Sequence, residues 1–142
     1  MHSQSLVLNC QSERAPQFLD ITDEVCRLVA GSTIRDGLVT VYSQDAATAV
    51  KINEHEPLLL EDLERLLDEL DAGAPWGGSG NGTATREAVA DVRPGRHRSL
   101  LGTSESIPLI DGRLQFGRWQ RLFLIELKSP GQREVIVQIL GV

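Results

Sequence analysis

Tyr42 to Pro57, YSQDAATAVKINEHEP, holds one carboxylate, Asp45, among small residues after an apolar run, Leu38 to Tyr42. A carboxylate so placed can ligate a metal, act as a general base, or accept backbone N–H bonds in a turn. Further on, Asn53 and Glu54 stand just before Pro57. They can line a polar pocket, or they can cap the helix that Pro57 opens, where the helix dipole favours a carboxylate. The run RPGRHR, Arg93 to Arg98, gathers Arg96, His97 and Arg98 into a small basic cluster within an acidic chain. Such a cluster attracts phosphate or carboxylate anions. The favoured reading is a solvated loop.

Other chemistries have no residues to carry them. There is no GxxxxGK[ST] phosphate loop, no HExxH and no GxSxG. GGSGNG is rich in glycine but does not sit in a strand-to-helix turn of a βαβ unit. The histidines, His2, His55 and His97, are scattered, whereas a metal site needs convergent ligands. A net charge of −6 argues against binding a nucleic-acid backbone, which calls for a basic surface. No stretch approaches the apolar length of a membrane span, so no membrane partner is expected. Cys10 and Cys26 form no CxxC pair and no disulfide framework, which points to a reduced, cytoplasmic setting. Residues 1–20 lack a basic region followed by an apolar run, so no signal peptide is expected.

The elements that must position these residues follow from periodicity. A chain of 142 residues suits a single domain, 1–142, with a sizeable core. Gln4 to Gln11 alternates as a strand. In the next segment Ile21, Val25 and Leu28 fall on one helical face; Asp20 or Thr22 can cap that helix, and Gly31 can end it. Asp36 to Ser43 and Ala47 to Ile52 read as strands on either side of Asp45. From Pro57, Leu59, Leu63, Leu66, Leu67 and Leu70 make an apolar stripe, and Gly73 can stop the helix. Gly73 to Arg98 is a long Gly/Ser/Ala-rich segment with one aromatic, Trp76, in which Thr85 to Val92 can form a short helix. The last third is β, with Asp111-Gly112 as a hairpin turn and Pro130-Gly131 as another. The expected fold is α+β: twisted, largely antiparallel sheets with two helices, in the order βαββα and then four strands.

Three segments in this order, INE (Ile52 to Glu54), LLGTS (Leu100 to Ser104) and GRWQ (Gly117 to Gln120), resemble the YjbQ family of secondary thiamine-phosphate synthase-like proteins. The resemblance covers essentially the whole chain and implies a homotrimer. It also exposes departures. Family members carry His-Thr-(Thr/Ser)-Ala eight residues before the Asn of Asn-Glu; here that place is Asp45, followed by Ala46 and Ala47. A His-Asn pair follows an aromatic beyond the second helix; here Trp76 is followed by glycines and a serine. A third histidine is matched by Gly95, with His97 two residues later, and Gly-Thr-Trp-Gln has Arg118 in place of Thr. Three histidines could hold a metal or carry protons. Ala, Gly and Ser supply no such donors, so no metal or other cofactor is expected.

Two functions stay open. In the first, the resemblance implies an enzyme joining a hydroxymethylpyrimidine diphosphate to a thiazole phosphate. Asp45, Glu54 and Arg118 would be its catalytic candidates. Arg118 and the Arg96–Arg98 cluster would clamp the anion, and Asn53, Trp76, His97 and Gln120 would contact the ligand. In the second, a non-catalytic relative keeps the fold for assembly or for binding a small anionic or phosphorylated ligand. An Asp45–Arg118 ion pair is expected if both occupy the family pocket. Trp119 and Gln120 would hold their hairpin, with Gln120 satisfying backbone groups.

Overall fold

The computed structural model describes residues 1–72 and 97–142. The strand β1 (His2–Ser12) alternates as its pattern demands, turning Leu6, Leu8 and Cys10 towards the core and Val7 and Asn9 outwards. After it come β2 (Gln17–Asp20), α1 (Thr22–Ala30), β3 (Gly37–Tyr42), β4 (Thr48–Glu54) and α2 (Pro57–Ala72). A short helix, α3, covers residues 97–101, and β5 (Ser104–Ile110), β6 (Arg113–Leu114), β7 (Gln120–Glu126) and β8 (Gly131–Gly141) complete the chain. The fold is α+β and every strand pair is antiparallel. Two elements go beyond the expected order. The strand β2 precedes α1, and α3 follows α2. The four residues of β2 show no alternation of burial, because β2 is an edge strand that pairs with β7 alone. The expected helix over Thr85 to Val92 and the stop at Gly73 lie outside the described residues.

The strands form two sheets, β1-β8-β3-β5-β6 and β2-β7-β4. Their facing sides enclose the main core, with Val39, Val41, Ile107, Val135, Val137 and Ile139 from the larger sheet and Val50, Leu122 and Leu124 from the smaller. Val25 and Val29 of α1 fill the same core. The opposite side of the smaller sheet, Ala49, Phe123 and Ile125, meets Leu67 of α2 in a second core. Strand β7 is therefore covered on both faces, which is why LFLI is an unbroken apolar run.

Local chemistry fixes the ends of the elements. Asp20 supplies the start of α1, its Oδ1 accepting the N–H of Thr22 at 3.0 Å and the Thr22 hydroxyl at 2.7 Å. Glu56 caps α2, its Oε2 accepting the N–H of Leu59 at 2.7 Å. The capping role considered for Asn53 and Glu54 therefore falls to the next acid along, because both residues still belong to β4. At the β5–β6 turn Asp111 and Gly112 both have positive φ, 49° and 75°, the geometry of a tight two-residue hairpin turn. The positive φ at Gly112 favours glycine there, and a Cβ would also displace the Arg35 guanidinium.

Candidate functional site

Asp45 sits in the turn between β3 and β4. Its Oδ1 accepts the N–H of Ala47 at 2.8 Å, and its backbone carbonyl accepts the N–H of Thr48 at 3.1 Å. Beneath it, the fully buried hydroxyls of Ser43 and Thr48 bond to each other at 2.5 Å. The second carboxylate oxygen, Oδ2, meets Arg133 Nη1 at 3.1 Å. An arginine does pair with Asp45, but it is Arg133 of β8 rather than Arg118. The sequence hid this partner because β8 reaches the turn only through the sheet register.

Arg133 is held more firmly by Glu126, whose side chain is 0% exposed. Glu126 accepts Arg133 Nε at 2.7 Å, the Ser12 hydroxyl at 2.6 Å and the N–H of Leu127 at 3.1 Å. The Arg133 Nη2 also reaches the carbonyl of Ser129 at 3.0 Å. A buried carboxylate so supplied with donors has its hydrogen-bonding capacity met within the protein. The hydrogen bond to Glu126, opposed by burial, raises the already high Arg133 pKa. A polar cleft of about 480 Å³ opens beside it, lined by Asn9, Gln44, Asp45, Gln132, Arg133 and Glu134. Arg133 is paired with two carboxylates there, so among the described residues the cleft lining offers an anion no free cation.

The other candidates are dispersed. Arg98 on α3 donates its Nε to the Thr48 carbonyl at 2.9 Å and its Nη2 to the Ser43 carbonyl, bracing the Asp45 turn from below. That corrects the anion-clamp reading of Arg98, whose guanidinium is engaged by backbone. His97 is buried, at 4% exposure. Arg96 and Trp76 lie outside the described residues. Gln120 closes its own turn, its Oε1 accepting the N–H of Gly117 at 2.7 Å, as its residue type suggests. Trp119 does not anchor the hairpin. It is 67% exposed, with the Arg118 guanidinium 4.9 Å from its ring centre. Asn53 is engaged locally, its Oδ1 accepting the N–H of Glu54 at 2.8 Å.

Sequence reasoning missed a second charged cluster. At the other end of β7, Asp20 Oδ2 meets His55 Nδ1 at 2.7 Å and Arg121 Nε at 2.8 Å. Arg121 Nη2 also reaches Asp23 at 3.3 Å. Burial alone would raise the Asp20 carboxyl, but hydrogen bonds from Arg121, His55 and Thr22 outweigh it and hold its pKa at about 2. The His55 ring packs 5.6 Å from the centre of Phe123 and, with Glu54, Glu56 and Trp119, borders an open cleft of about 480 Å³. The available signal was His55 following Asn53-Glu54 directly. Its partner Asp20, 35 positions away, and Arg121, 101 positions from Asp20, gave none.

Among the described residues no three His, Cys, Asp or Glu side chains converge in an arrangement that could hold a metal ion. Both cysteines are free, and burial pushes the Cys10 thiol up to about 11 and the Cys26 thiol above its ordinary value. Neither is a ready thiolate nucleophile at neutral pH. No helix among the described residues is long and apolar enough to cross a membrane.

The description UPF0047 protein YjbQ-like belongs to a family model that matches residues 7–142. A UPF0047 protein of Archaeoglobus fulgidus is 37% identical over 134 residues, covering 94% of this chain and 98% of its own length. One from Methanothermobacter thermautotrophicus is 32% identical over 142 residues, covering 99% and 93%. Among solved structures, a hypothetical protein of Aeropyrum pernix K1 superposes with a TM-score of 0.81 at 32% identity, covering 100% of both chains. A YbjQ-like protein of unknown function from Sulfolobus solfataricus P2 gives 0.82 at 27% identity, covering 99% of this chain and 100% of its own. With the match running from the middle of β1 through the last residue, the chain belongs to the YjbQ-like UPF0047 family.

Proposed function

We propose that this chain is a non-catalytic, small-ligand-binding member of its family, working in the cytoplasm as an assembly of identical copies. The observation that carries this reading is the state of Asp45. It stands where the resemblance expects a histidine, and both of its carboxylate oxygens are engaged, one by the turn and one by Arg133. A general base has to be aimed at substrate, and the turn and Arg133 together fix the Asp45 carboxylate as a structural anchor. The test is complementation of a strain lacking thiamine-phosphate synthase, with a direct assay on the purified protein. No rescue and no product are expected. Rescue by the wild type that disappears in Asp45→Ala would establish the enzyme reading in its place.

Self-assembly is supported by the outward face of the larger sheet. Its central rows, Leu140–Leu38–Pro108, Gln138–Thr40–Ser106 and Ile136–Tyr42–Ser104, carry no charge. In a chain of net charge −6, such a face lets like-charged copies meet without repulsion. Light scattering on the purified protein is expected to give a trimer that Thr40→Arg weakens, and a wild-type monomer would refute the assembly.

A further inference from the structure

Helix α2 does not seal completely against the smaller sheet. Between α2, β2, β4 and α3 lies a cavity of about 270 Å³ walled by Phe18, Leu63, Leu67 and Leu101 and also lined by Lys51 and Asn53. The β4 register places these two polar residues there. Val50 and Ile52 turn towards the main core, so Ala49, Lys51 and Asn53 face α2. Leu66, at 49% exposure, also borders the cavity.

Lys51 is the anomaly. It is half-buried and makes no ion pair or side-chain hydrogen bond among the described residues. The chain treats its other partly buried cations differently. Arg133 has Glu126 and Asp45, Arg121 has Asp20 and Asp23, and Arg98 has two backbone carbonyls. Acids outnumber bases 20 to 14 in the chain, yet among the described residues none forms an ion pair with Lys51. An ammonium against apolar walls is costly to desolvate and gains most from an anion placed beside it. Asn53 adds a second donor. Its Oδ1 accepts the N–H of Glu54, which leaves its amino group available.

We propose that this cavity binds a small amphipathic carboxylate, such as a medium-chain fatty acid. The ligand's carboxylate meets Lys51 and the Asn53 amino group, and its apolar chain lies along Leu63, Leu67 and Leu101. The volume falls just under the roughly 300–1,000 Å³ usual for sites of drug-sized ligands, which limits the chain to medium length. The inference rests on the small-ligand reading above and names the class of ligand.

Calorimetric titration of the full chain with octanoate tests it, with octylamine carrying the same apolar tail and the opposite charge. One octanoate per chain is expected, weakened about tenfold or more in Lys51→Met, which keeps the alkyl stem and loses one charge-assisted bond. Octylamine is expected not to bind, and Leu66→Trp, at a half-exposed position bordering the cavity, is expected to obstruct octanoate. Octanoate that fails to bind, or that binds Lys51→Met and wild type alike, overturns the proposal and shows Lys51 to be only a snorkelling side chain. If a thiazole phosphate binds and octanoate does not, this inference fails while the small-ligand reading stands. If the protein turns over the pyrimidine diphosphate with the thiazole phosphate, the non-catalytic reading fails; octanoate binding that Lys51→Met abolishes would still uphold the cavity.

Discussion

The two ends of β7 carry the same kinds of charge in opposite surroundings. At one end Glu126, fully buried, gathers Arg133, Ser12 and backbone N–H groups into a closed set, with Asp45 on its outer side. At the other end Asp20 gathers Arg121, His55 and Thr22, but His55 and Arg121 stay 49% and 36% exposed. The geometry of pairing is similar, and the solvent is not. A buried charge must keep all its partners, because an uncompensated ion has no water to turn to. A half-exposed pair is screened and exchanges protein partners for water at little cost. The closed end therefore holds structure. The open end keeps side chains that face solvent.

The largest expected effect breaks the closed end. Glu126→Ala leaves Arg133, the Ser12 hydroxyl and the N–H of Leu127 without their shared acceptor, and urea unfolding should show a loss of about 3–5 kcal/mol. A loss under about 1 kcal/mol would mean the two ends do not differ as described. Next comes Asp20→Asn, which keeps an oxygen for Thr22 but loses the charge facing Arg121 and His55. The expected loss is about 1–2 kcal/mol near neutral pH. Because the folded carboxyl sits at about 2 against an ordinary 3.8, this stabilisation is present above the ordinary value and fades as pH falls towards 2. The gap between wild type and Asp20→Asn, measured by urea unfolding across that range, should close on acidification. A constant gap would show that Asp20 acts through packing rather than charge.

Much of the fold was legible because its signals are local. The alternation of Leu6 and Leu8, the leucine stripe from Leu59 to Leu70, and Asp111-Gly112 each specify an element within a few residues. The strand β2 was not, since four residues at a sheet edge need no pattern of their own. The turn that carries Asp45 was also legible, as the break between two β-rich runs. The partner of Asp45 was not, because an ion pair across 88 positions leaves no trace in spacing. The same holds for Glu126, which reads as the polar end of an apolar strand and proves to be the most enclosed acid among the described residues. Lys51 was invisible for the opposite reason. A lysine in a strand looks like a solvent-facing residue, and only the packing of α2 makes its face an inner one.

Asp45 itself lies between the two regimes, one flank on the closed network and the other towards the cleft. Asp45→Asn keeps the turn acceptor for Ala47 and removes only the charge facing Arg133. Arg133 retains Glu126, so a loss of about 0.5–1 kcal/mol is expected in the same unfolding measurement. A much larger loss would place Asp45 inside the buried network rather than at its rim.

The smallest effect belongs to Trp119, at the open end. A tryptophan in a family-like GRWQ segment invites a structural role, and removal of a buried one would cost about 3–5 kcal/mol. Here the ring is 67% exposed, and its recorded partner is the Arg118 guanidinium over its face. An exposed contact of that kind contributes about 0.5–1 kcal/mol, and the ring leaves no cavity when it goes. Trp119→Ala should therefore shift the urea midpoint by no more than that amount and leave the slope unchanged. A cost of several kcal/mol would mean the ring is covered in solution, which a copy of the chain seated over the open end of β7 would do. The same variant followed by light scattering separates the two. Loss of stability together with loss of mass would place an assembly contact at Trp119, and loss of neither keeps the open end as free surface beside His55.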